Sequence, residues 1–233
     1  MAEETLDLYR LGRQPYVPVW QAMRLQLQER GPETPDALWR VEHPPVLTLG
    51  RNAGAEHLLA PGALPVIRVD RGGQVTFHGP GQVVVYLLLE LRRYRLGVRT
   101  LVDLLQDAVI ATLQDFGIQA SARAHAPGVY VEGAKIAALG LRVRSGFSMH
   151  GLALNVNPRL GEFDRIHPCG YPGLATTSMR AMGARAAPDT VADRLEAHLA
   201  DRLERARVSR QTLPEELVRV LAFGTAERSR KAD

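Results

Sequence analysis

The sequence is poor in cysteine, in aromatic residues and in long apolar runs, and each shortage excludes a class of protein. One cysteine in 233 residues cannot form an internal disulfide or a cluster of cysteine metal ligands. Phenylalanine, tryptophan and tyrosine make up only 6% of the chain, too few to offer stacking platforms for nucleic-acid bases. The longest apolar run, residues 83–89, is far too short to cross a bilayer and predicts a buried strand. We therefore expect neither nucleic acid nor a membrane as a partner.

Lysine is almost as scarce as cysteine. The chain has 27 arginines but only two lysines, Lys135 and Lys231, and its formal net charge is +4. Lys231 lies in the polar segment 226–233, which leaves Lys135 as the only lysine in the expected folded body. Arginine cannot give up its proton inside a protein, whereas a lysine amine can. A single lysine in an arginine-rich chain therefore suggests a role in proton transfer.

Length and composition favour one domain. A chain of 233 residues can bury a substantial core, and 45% hydrophobic with 23% charged residues is typical of a globular protein. We expect the domain to span residues 1–224 and a disordered polar tail to occupy residues 225–233. The first residues lack the basic and apolar segments of a signal peptide, so we expect a cytoplasmic protein.

The alternation of a few helices with many strands predicts a single α+β domain, with the C-terminal helices packed on the outside. Helices are expected over residues 18–29, 99–116, 188–207 and 214–223. Strands are expected over residues 6–11, 37–42, 46–49, 66–69 and 82–91. Three further strands, separated by tight turns and so predicted to form an antiparallel meander, are expected over residues 129–131, 135–143 and 148–156.

The segment RGGQVTFHGPGQ, residues 71–82, concentrates glycine and proline between two predicted strands and is here termed the glycine segment. Glycines let a backbone approach a ligand closely and point N–H groups at it, but the same pattern is typical of a hairpin turn. No Gly-Lys-Ser or Gly-Lys-Thr follows, and the glycines lead into a strand, so this is not a phosphate-binding loop. Spacing alone leaves the ligand-binding and turn interpretations open.

Cys169 lies in HPCGYPGLATTSM, residues 167–179, here termed the cysteine segment. A lone cysteine is often a small buried hydrophobic residue, but flanking prolines and glycines predict an accessible loop, where nucleophiles often lie. A thiol becomes nucleophilic near neutral pH when a base or a positive charge lies beside it, and Lys135 offers both. The alternative bases are His78, His150 and His167.

Three segments together resemble the motif blocks of the bacterial octanoyltransferases of lipoate synthesis, the lipoyl(octanoyl) transferases. They are the glycine segment, the cysteine segment and GAKIAALGLRVRSGFSMHGLALNVN, residues 133–157. The resemblance extends from about residue 9 to about residue 203, with similar spacing between the blocks. It implies a single α+β domain of the biotin/lipoate protein ligase type, with a mixed sheet and an acyl-binding pocket.

The resemblance also implies which residues carry the reaction. The acyl-thioester cysteine of the family falls on Cys169, and the lysine that promotes its ionisation falls on Lys135. Substrate contacts fall on Arg71, Gly72, Gly73, Gln74, Val75, Thr76, Phe77 and His78, on Ala138, Leu139 and Gly140, and on Gly151, Leu152 and Ala153. Phe77 departs from the family pattern, in which tyrosine is common at this place, and the loss of one hydroxyl leaves the assignment intact.

By the same resemblance, the chain would be an acyltransferase of protein lipoylation and lipoate biosynthesis. It would move an octanoyl group from the phosphopantetheine of acyl carrier protein, through a Cys169 thioester, to a lysine of lipoyl domains. Expected acceptors are the lipoyl domains of 2-oxoacid dehydrogenases and the glycine cleavage H protein, and no ATP, metal or other cofactor is expected. Candidate backbone donors for the oxyanion lie near Gly72 and Gly73 or in the turn at Cys169 and Gly170.

Two other functions fit parts of the pattern. The first is an ATP-dependent lipoate or biotin protein ligase on the same fold, in which a lysine resembling Lys135 would contact an acyl-adenylate. The second is a non-enzymatic basic module that binds nucleic acid or acyl carrier protein, with the glycine segment and the cysteine as structural features. Replacing Cys169 by alanine would abolish turnover in the transferase but would spare ligase activity or simple binding.

Overall fold

A large mixed sheet organises the part of the chain that the computed structural model describes, residues 5–31, 33–124 and 126–230, with side chains described as far as residue 222. The strands are β1 (Thr5–Arg13), β2 (Asp36–Glu42), β3 (Val46–Leu49), β4 (Val66–Arg68), β5 (Val75–His78), β6 (Gln82–Leu88), β7 (Ser121–Ala122), β8 (Gly128–Val131), β9 (Ala134–Arg144), β10 (Phe147–Asn155) and β11 (Ala206–Arg210). The α-helices are α1 (Tyr16–Glu29), α2 (Val98–Asp115), α3 (Pro188–Arg202) and α4 (Glu215–Arg230).

Two sheets divide these strands between them. The larger has eight strands in the order β11-β1-β2-β6-β10-β9-β8-β7, and the smaller has the order β4-β3-β5. In the larger sheet β1 runs parallel to both of its neighbours, whereas the other pairs are antiparallel. The mixed sheet is therefore confirmed. The meander is confirmed too, since β8, β9 and β10 are consecutive antiparallel neighbours in it.

Strand β6 shows how the larger sheet comes to be covered on both faces. All of its residues are buried, as the apolar run predicted. Val85 and Leu87 pack in a cluster with residues of α2 and α3, whereas Val84 and Tyr86 pack with residues of α1 and α4 on the opposite face. Because successive side chains of a strand point to opposite faces, a continuous apolar run is what a strand between two helical layers requires.

The C-terminal region differs from the prediction. The helix expected over residues 188–207 is wrong beyond residue 202, because α3 ends there and Glu204 adopts a left-handed φ of 53° that a helix cannot contain. The following residues form β11, which extends the larger sheet by pairing parallel with β1. The sequence ARVSR has no run of β-branched or aromatic residues, so its pattern gave no sign of this edge strand.

Smaller differences concern element ends. The strand expected over residues 82–91 ends at residue 88 and is followed by a single 3₁₀ turn, and the glycine segment contains β5, which was not expected. The backbone of α4 continues into the region where a polar tail was expected, residues 225–233, but the side chains from residue 223 onward and residues 231–233 lie outside the described residues, so the tail stays a prediction. No helix among the described residues has the length and apolar character needed to cross a membrane.

Candidate active site

A cavity of about 550 Å³ lies where the three sequence segments meet, between β9, β10, the glycine segment and the cysteine segment. Every residue predicted for the site lines it except Phe77. These lining residues are Arg71, Gly72, Gly73, Gln74, Val75, Thr76, His78, Lys135, Ala138, Leu139, Gly140, Gly151, Leu152, Ala153 and Cys169. The turn interpretation of the glycine segment is therefore incomplete, because the segment also forms a cavity wall.

Phe77 is the one predicted contact that points elsewhere. Its ring packs edge-on against Phe163, with 5.4 Å between ring centroids, in a separate cluster under the smaller sheet. Thr76 and His78, its neighbours in β5, line the cavity. The alternation of side chains along a strand explains the difference, and it was not foreseen because β5 itself was not.

Lys135 and Cys169 are in direct contact. The Nζ atom of Lys135 lies 2.8 Å from the Sγ atom of Cys169 and donates a second hydrogen bond, 3.1 Å long, to the carbonyl oxygen of Pro127. Lys135 is buried, with 4% of its surface exposed, whereas Cys169 is half-buried at the cavity wall. The arrangement gives a thiol that substrate can reach and an amine shielded behind it.

Backbone pairing brings these two residues together across 34 positions of the chain. The N–H of Lys135 donates to the carbonyl of Ala175 over 2.8 Å, and the N–H of Thr177 donates to the carbonyl of Lys135 over 2.9 Å. The end of the cysteine segment thus runs as a short parallel bridge beside β9, at the residue that carries the amine. Main-chain hydrogen bonds therefore hold the end of the cysteine segment beside Lys135.

The residues around Lys135 leave room for its side chain and favour its charge. A Cβ atom on Gly128 would lie 2.9 Å from the Cε atom of Lys135, so only glycine fits there. The ring of Tyr130 lies 5.1 Å from Nζ in a cation–π contact. Burial opposes the charge, but attraction to Cys169 and its hydrogen bond, together with Tyr130, outweigh burial and raise the pKa of Lys135 above its usual value. The amine is therefore an ammonium ion facing the sulfur at neutral pH.

Cys169 itself sits in a strained backbone conformation. Its φ of 55° and ψ of 22° lie in the left-handed region, which non-glycine residues seldom occupy. Such strain persists where the surroundings over-determine it, and it is common at functional sites. Here the surroundings include hydrogen bonds from the N–H of Gly170 to the carbonyl of His167 and from that of Tyr171 to the carbonyl of Pro168.

Arg71 and Gly140 hold the glycine segment against the sheet. The N–H of Gly72 donates to the carbonyl of Leu141 in β9 over 2.8 Å. Arg71, 7% exposed, donates from Nη1 to the carbonyl of Gly72 and from Nη2 to both oxygens of Thr48. A Cβ atom on Gly140 would lie 3.0 Å from the Cδ atom of Arg71, so the glycine permits this close approach.

Two of the histidines offered as alternative bases, His78 and His150, line the cavity, but among the described residues none of the three forms a hydrogen bond with Cys169. His78 is buried, and burial together with repulsion from His43 and Arg71 holds its pKa well below the usual value. His150 pairs with Asp70 at 2.9 Å, yet burial still lowers its pKa. The backbone N–H of His167 bonds to the carbonyl of His57. Among the described residues, Lys135 is the basic side chain recorded within hydrogen-bonding distance of Cys169.

Several cavity residues escaped the sequence analysis. They are Tyr16, Asn52, Val84, Tyr86, Val98, Val102, Ala126, Pro127, Leu141, His150 as a wall residue, and Tyr171. A signal existed for Tyr86, the only hydroxyl in the apolar run, whose oxygen lies 2.7 Å from the Nε2 atom of His43. A signal also existed for Val98 and Val102, which are four residues apart at the start of α2 and therefore lie on the same face of the helix.

Comparison with known proteins gives the relationships of the chain. The family model described as the lipoyl protein ligase A/B catalytic domain matches residues 15–200. An octanoyltransferase from Cellvibrio japonicus is 59% identical over 175 residues, which cover 75% of this chain and 81% of that protein. An octanoyltransferase from Pseudomonas entomophila is 54% identical over 199 residues, covering 85% and 93% of the two chains.

A solved structure resembles the fold at much lower identity. A bi-partite lipoate protein ligase from Thermoplasma acidophilum superposes with a TM-score of 0.74 at 14% identity, covering 94% of this chain and 91% of that one. At this identity the likeness concerns the fold alone, and it confirms the expected ligase-like α+β architecture. Among the described residues, no group of three His, Cys, Asp or Glu side chains is placed to hold a metal ion.

Proposed function

Because the chain belongs to the octanoyltransferases of the lipoyl protein ligase A/B catalytic-domain family, we propose that it transfers an octanoyl group through a thioester on Cys169. The observation that carries the proposal is the 2.8 Å contact between the Nζ atom of Lys135 and the Sγ atom of Cys169 at the wall of a cavity. In this proposal Cys169 is the nucleophile and Lys135 moves the protons.

The first half-reaction begins from a thiolate paired with the Lys135 ammonium ion. The thiolate attacks the carbonyl carbon of the donor thioester, and a new carbon–sulfur bond forms on Cys169. The bond to the sulfur of the donor breaks, and Lys135 gives its proton to that departing sulfur, leaving a neutral amine. The octanoyl group is now held on the enzyme as a thioester.

The second half-reaction returns the pair to its starting state. The amine of an acceptor lysine attacks the Cys169 thioester, Lys135 takes a proton from the attacking nitrogen, and the Cys169 thiolate leaves. The product is an amide, which is more stable than a thioester, so the transfer needs no ATP; the proposed steps use no metal. Arginine would stabilise the thiolate but would not release a proton, which explains a lysine at this position in an arginine-rich chain.

The cavity fits the acyl group by its chemistry. Apolar side chains of α2 and of the meander strands line it, namely Val98, Val102, Leu139, Leu141 and Leu152. Each methylene group that an acyl chain buries there contributes about 0.8 kcal/mol. In this proposal the octanoyl chain lies along this wall while its carbonyl carbon is bonded to Cys169.

The donor in this proposal is octanoyl-acyl carrier protein, and the acceptors are lipoyl domains of 2-oxoacid dehydrogenases and the glycine cleavage H protein. Exposed arginines around the protein would meet the acidic faces of these partners. A cytoplasmic site of action, where both partners would be found, belongs to the same proposal.

Intact-protein mass spectrometry tests the covalent step. The protein is mixed with octanoyl-acyl carrier protein without ATP or acceptor, and Cys169→Ala serves as the matched control. We expect a gain of one octanoyl group that hydroxylamine removes, that a lipoyl domain discharges and that Cys169→Ala lacks. Acceptor labelling that needs ATP and free octanoic acid would instead assign a ligase, and silence under both conditions would favour a binding module.

A further inference from the structure

Acyl transfer at Cys169 creates a negative charge on the carbonyl oxygen of the thioester. Hydrogen-bond donors that face this oxyanion are usually among the largest contributors to such a reaction. An inference about which group donates this hydrogen bond goes beyond the Cys169–Lys135 pair. The inference rests on the proposed function.

Two of the backbone donors that the sequence suggested are already used. The N–H of Gly170 bonds to the carbonyl of His167, and the N–H of Gly72 bonds to the carbonyl of Leu141, each over 2.8 Å. An N–H committed to a short protein hydrogen bond cannot also point at a new oxyanion without breaking that bond.

Arg71 is committed in the same way. Its Nη1 atom bonds to the carbonyl of Gly72, and its Nη2 atom bonds to the carbonyl and the hydroxyl of Thr48. These contacts direct the guanidinium towards the glycine segment and β3, where it holds the wall of the cavity.

Gln74 is different, because its side-chain amide is uncommitted. It lines the cavity, and its Oε1 atom is buried without a hydrogen-bond partner among the described residues. Gln74 as a whole is half-buried, but a buried polar atom without a partner calls for an explanation, and the same amide also carries two N–H donors. A substrate bound in the cavity would supply partners for this amide, and a substrate carbonyl oxygen would take its N–H.

The amide also lies beside the nucleophile. A Cβ atom on Gly170, the residue after Cys169, would lie 2.9 Å from the Cγ atom and 3.0 Å from the Cδ atom of Gln74. The absence of a side chain on Gly170, whose φ is +76°, is thus what lets Gln74 reach the cysteine loop.

We propose that the side-chain amide of Gln74 donates a hydrogen bond to the oxyanion that forms when the Cys169 thiolate attacks an acyl thioester. As the carbon–sulfur bond to Cys169 forms, the electron pair of the carbonyl π bond moves onto oxygen, where the amide N–H meets it. When the pair returns, the bond to the donor sulfur breaks and that sulfur takes the proton of Lys135. The same amide acts again when the acceptor amine attacks.

Two reactions of the same thiolate separate this role from others. Acylation by octanoyl-N-acetylcysteamine, a small thioester, passes through an oxyanion, whereas alkylation by iodoacetamide displaces iodide directly and forms none. We expect Gln74→Met to slow single-turnover acylation by about 100-fold to 1,000-fold, as loss of one oxyanion donor does, and to leave the alkylation rate unchanged. Gln119→Met, at an exposed position, is the matched control and should change neither rate.

The two rates distinguish an oxyanion donor from a residue that only supports the loop and from a residue without a role. Equal losses of acylation and alkylation in Gln74→Met would mean that Gln74 supports the thiolate or the loop, and unchanged acylation would mean that it has no role; either result overturns the inference. If Gln74→Met does not fold, Gln74→Glu keeps the shape and removes the donors, and wild-type acylation by that variant would overturn the inference as well. Failure of the unaltered protein to acylate Cys169 at all would instead refute the proposed function on which the inference rests.

Discussion

Two buried cations line the same cavity, and they act in different ways. Lys135 is 4% exposed and directs its Nζ atom at the sulfur of Cys169. Arg71 is 7% exposed and directs its Nη atoms at oxygens of Thr48 and Gly72. Burial disfavours both charges, but attraction to Cys169 raises the pKa of Lys135, whereas burial prevails at Arg71 and lowers its pKa.

The difference separates the region around Lys135, which the proposed function makes the reactive region, from the region around Arg71, which holds shape. Around Lys135, the cysteine segment carries Cys169 in a strained backbone conformation at the cavity wall. Around Arg71, the recorded hydrogen bonds go to main-chain carbonyls and to the buried hydroxyl of Thr48, and the guanidinium stays charged because arginine does not titrate in a protein. An arginine-rich chain uses lysine where, in the proposed reaction, a proton must move.

The largest expected effect on turnover comes from replacing Lys135, the cation of the reactive region, by arginine, the cation type of the other region. Lys135→Arg keeps a positive charge beside Cys169 but removes the group that exchanges protons, so we expect turnover to fall by about 10²-fold to 10⁴-fold. Alkylation by iodoacetamide near neutral pH should persist, because the thiolate keeps its counter-charge. Steady-state octanoyl transfer and alkylation rates measure the two effects.

Lys135→Met is the control for that experiment, since it removes charge and proton transfer together. Both turnover and alkylation should fall in it. If Lys135→Arg turned over at the wild-type rate, proton transfer by Lys135 would have to be abandoned.

The next effect concerns the shape-holding region. Arg71→Met removes three hydrogen bonds from a buried guanidinium, and we expect the free energy of unfolding in urea to fall by about 2–4 kcal/mol. Alkylation of Cys169 should fall less than in Lys135→Met, because Arg71 attracts the sulfur only through space while its hydrogen bonds go to Gly72 and Thr48. Arg180→Met, at an exposed arginine, is the control. A stable variant with normal transfer would show that the glycine segment does not depend on Arg71.

A smaller effect on stability is expected from adding a side chain in β9 that contacts Arg71. Gly140→Ala would place a Cβ atom 3.0 Å from the Cδ atom of Arg71 and 3.3 Å from the carbonyl oxygen of Gly72. We expect a loss of about 1–2 kcal/mol in unfolding free energy and a raised KM for the donor. The loss should shrink in the Arg71→Met background, because the clashing side chain is then more flexible. Gly31→Ala, where a Cβ meets no atom within 4 Å, is the control.

The effect that is smallest near neutral pH is a pH dependence of stability caused by His43. Burial, partly offset by the bond to the Gln14 carbonyl, lowers the pKa of His43 from 6.5 to about 4. As pH falls from 6.5 towards 4, the unfolded chain binds a proton that the folded chain refuses, so this contribution to stability is complete above pH 6.5 and declines below it. His43→Phe should reduce the slope of the unfolding free energy against pH by up to about 1.4 kcal/mol per pH unit. The unfolding free energy is measured by chemical denaturation between pH 6.5 and pH 4. If its slope against pH were the same in His43→Phe as in the wild type, a group other than His43 would be the one that titrates.

Local chemistry explains why so much of the fold and of the site could be predicted. The apolar run of β6 and the turns of the meander depend on residues next to one another in the chain, so their pattern was sufficient. Lys135, Cys169 and the glycine segment stood out because their residue types are rare or clustered in this chain. The early end of α3 could not be predicted in this way, because it depends on the left-handed conformation of Glu204, which glutamate seldom adopts.

Contacts between distant parts of the chain decided the rest. The edge position of β11, the direction of Phe77 and the approach of Gln74 to Gly170 follow from pairings that no local pattern shows. Residue type and position along the chain established which residues are available for chemistry. The 2.8 Å contact between Lys135 and Cys169 follows only from the fold, because main-chain hydrogen bonds bring β9 beside a segment about 40 residues further along the chain.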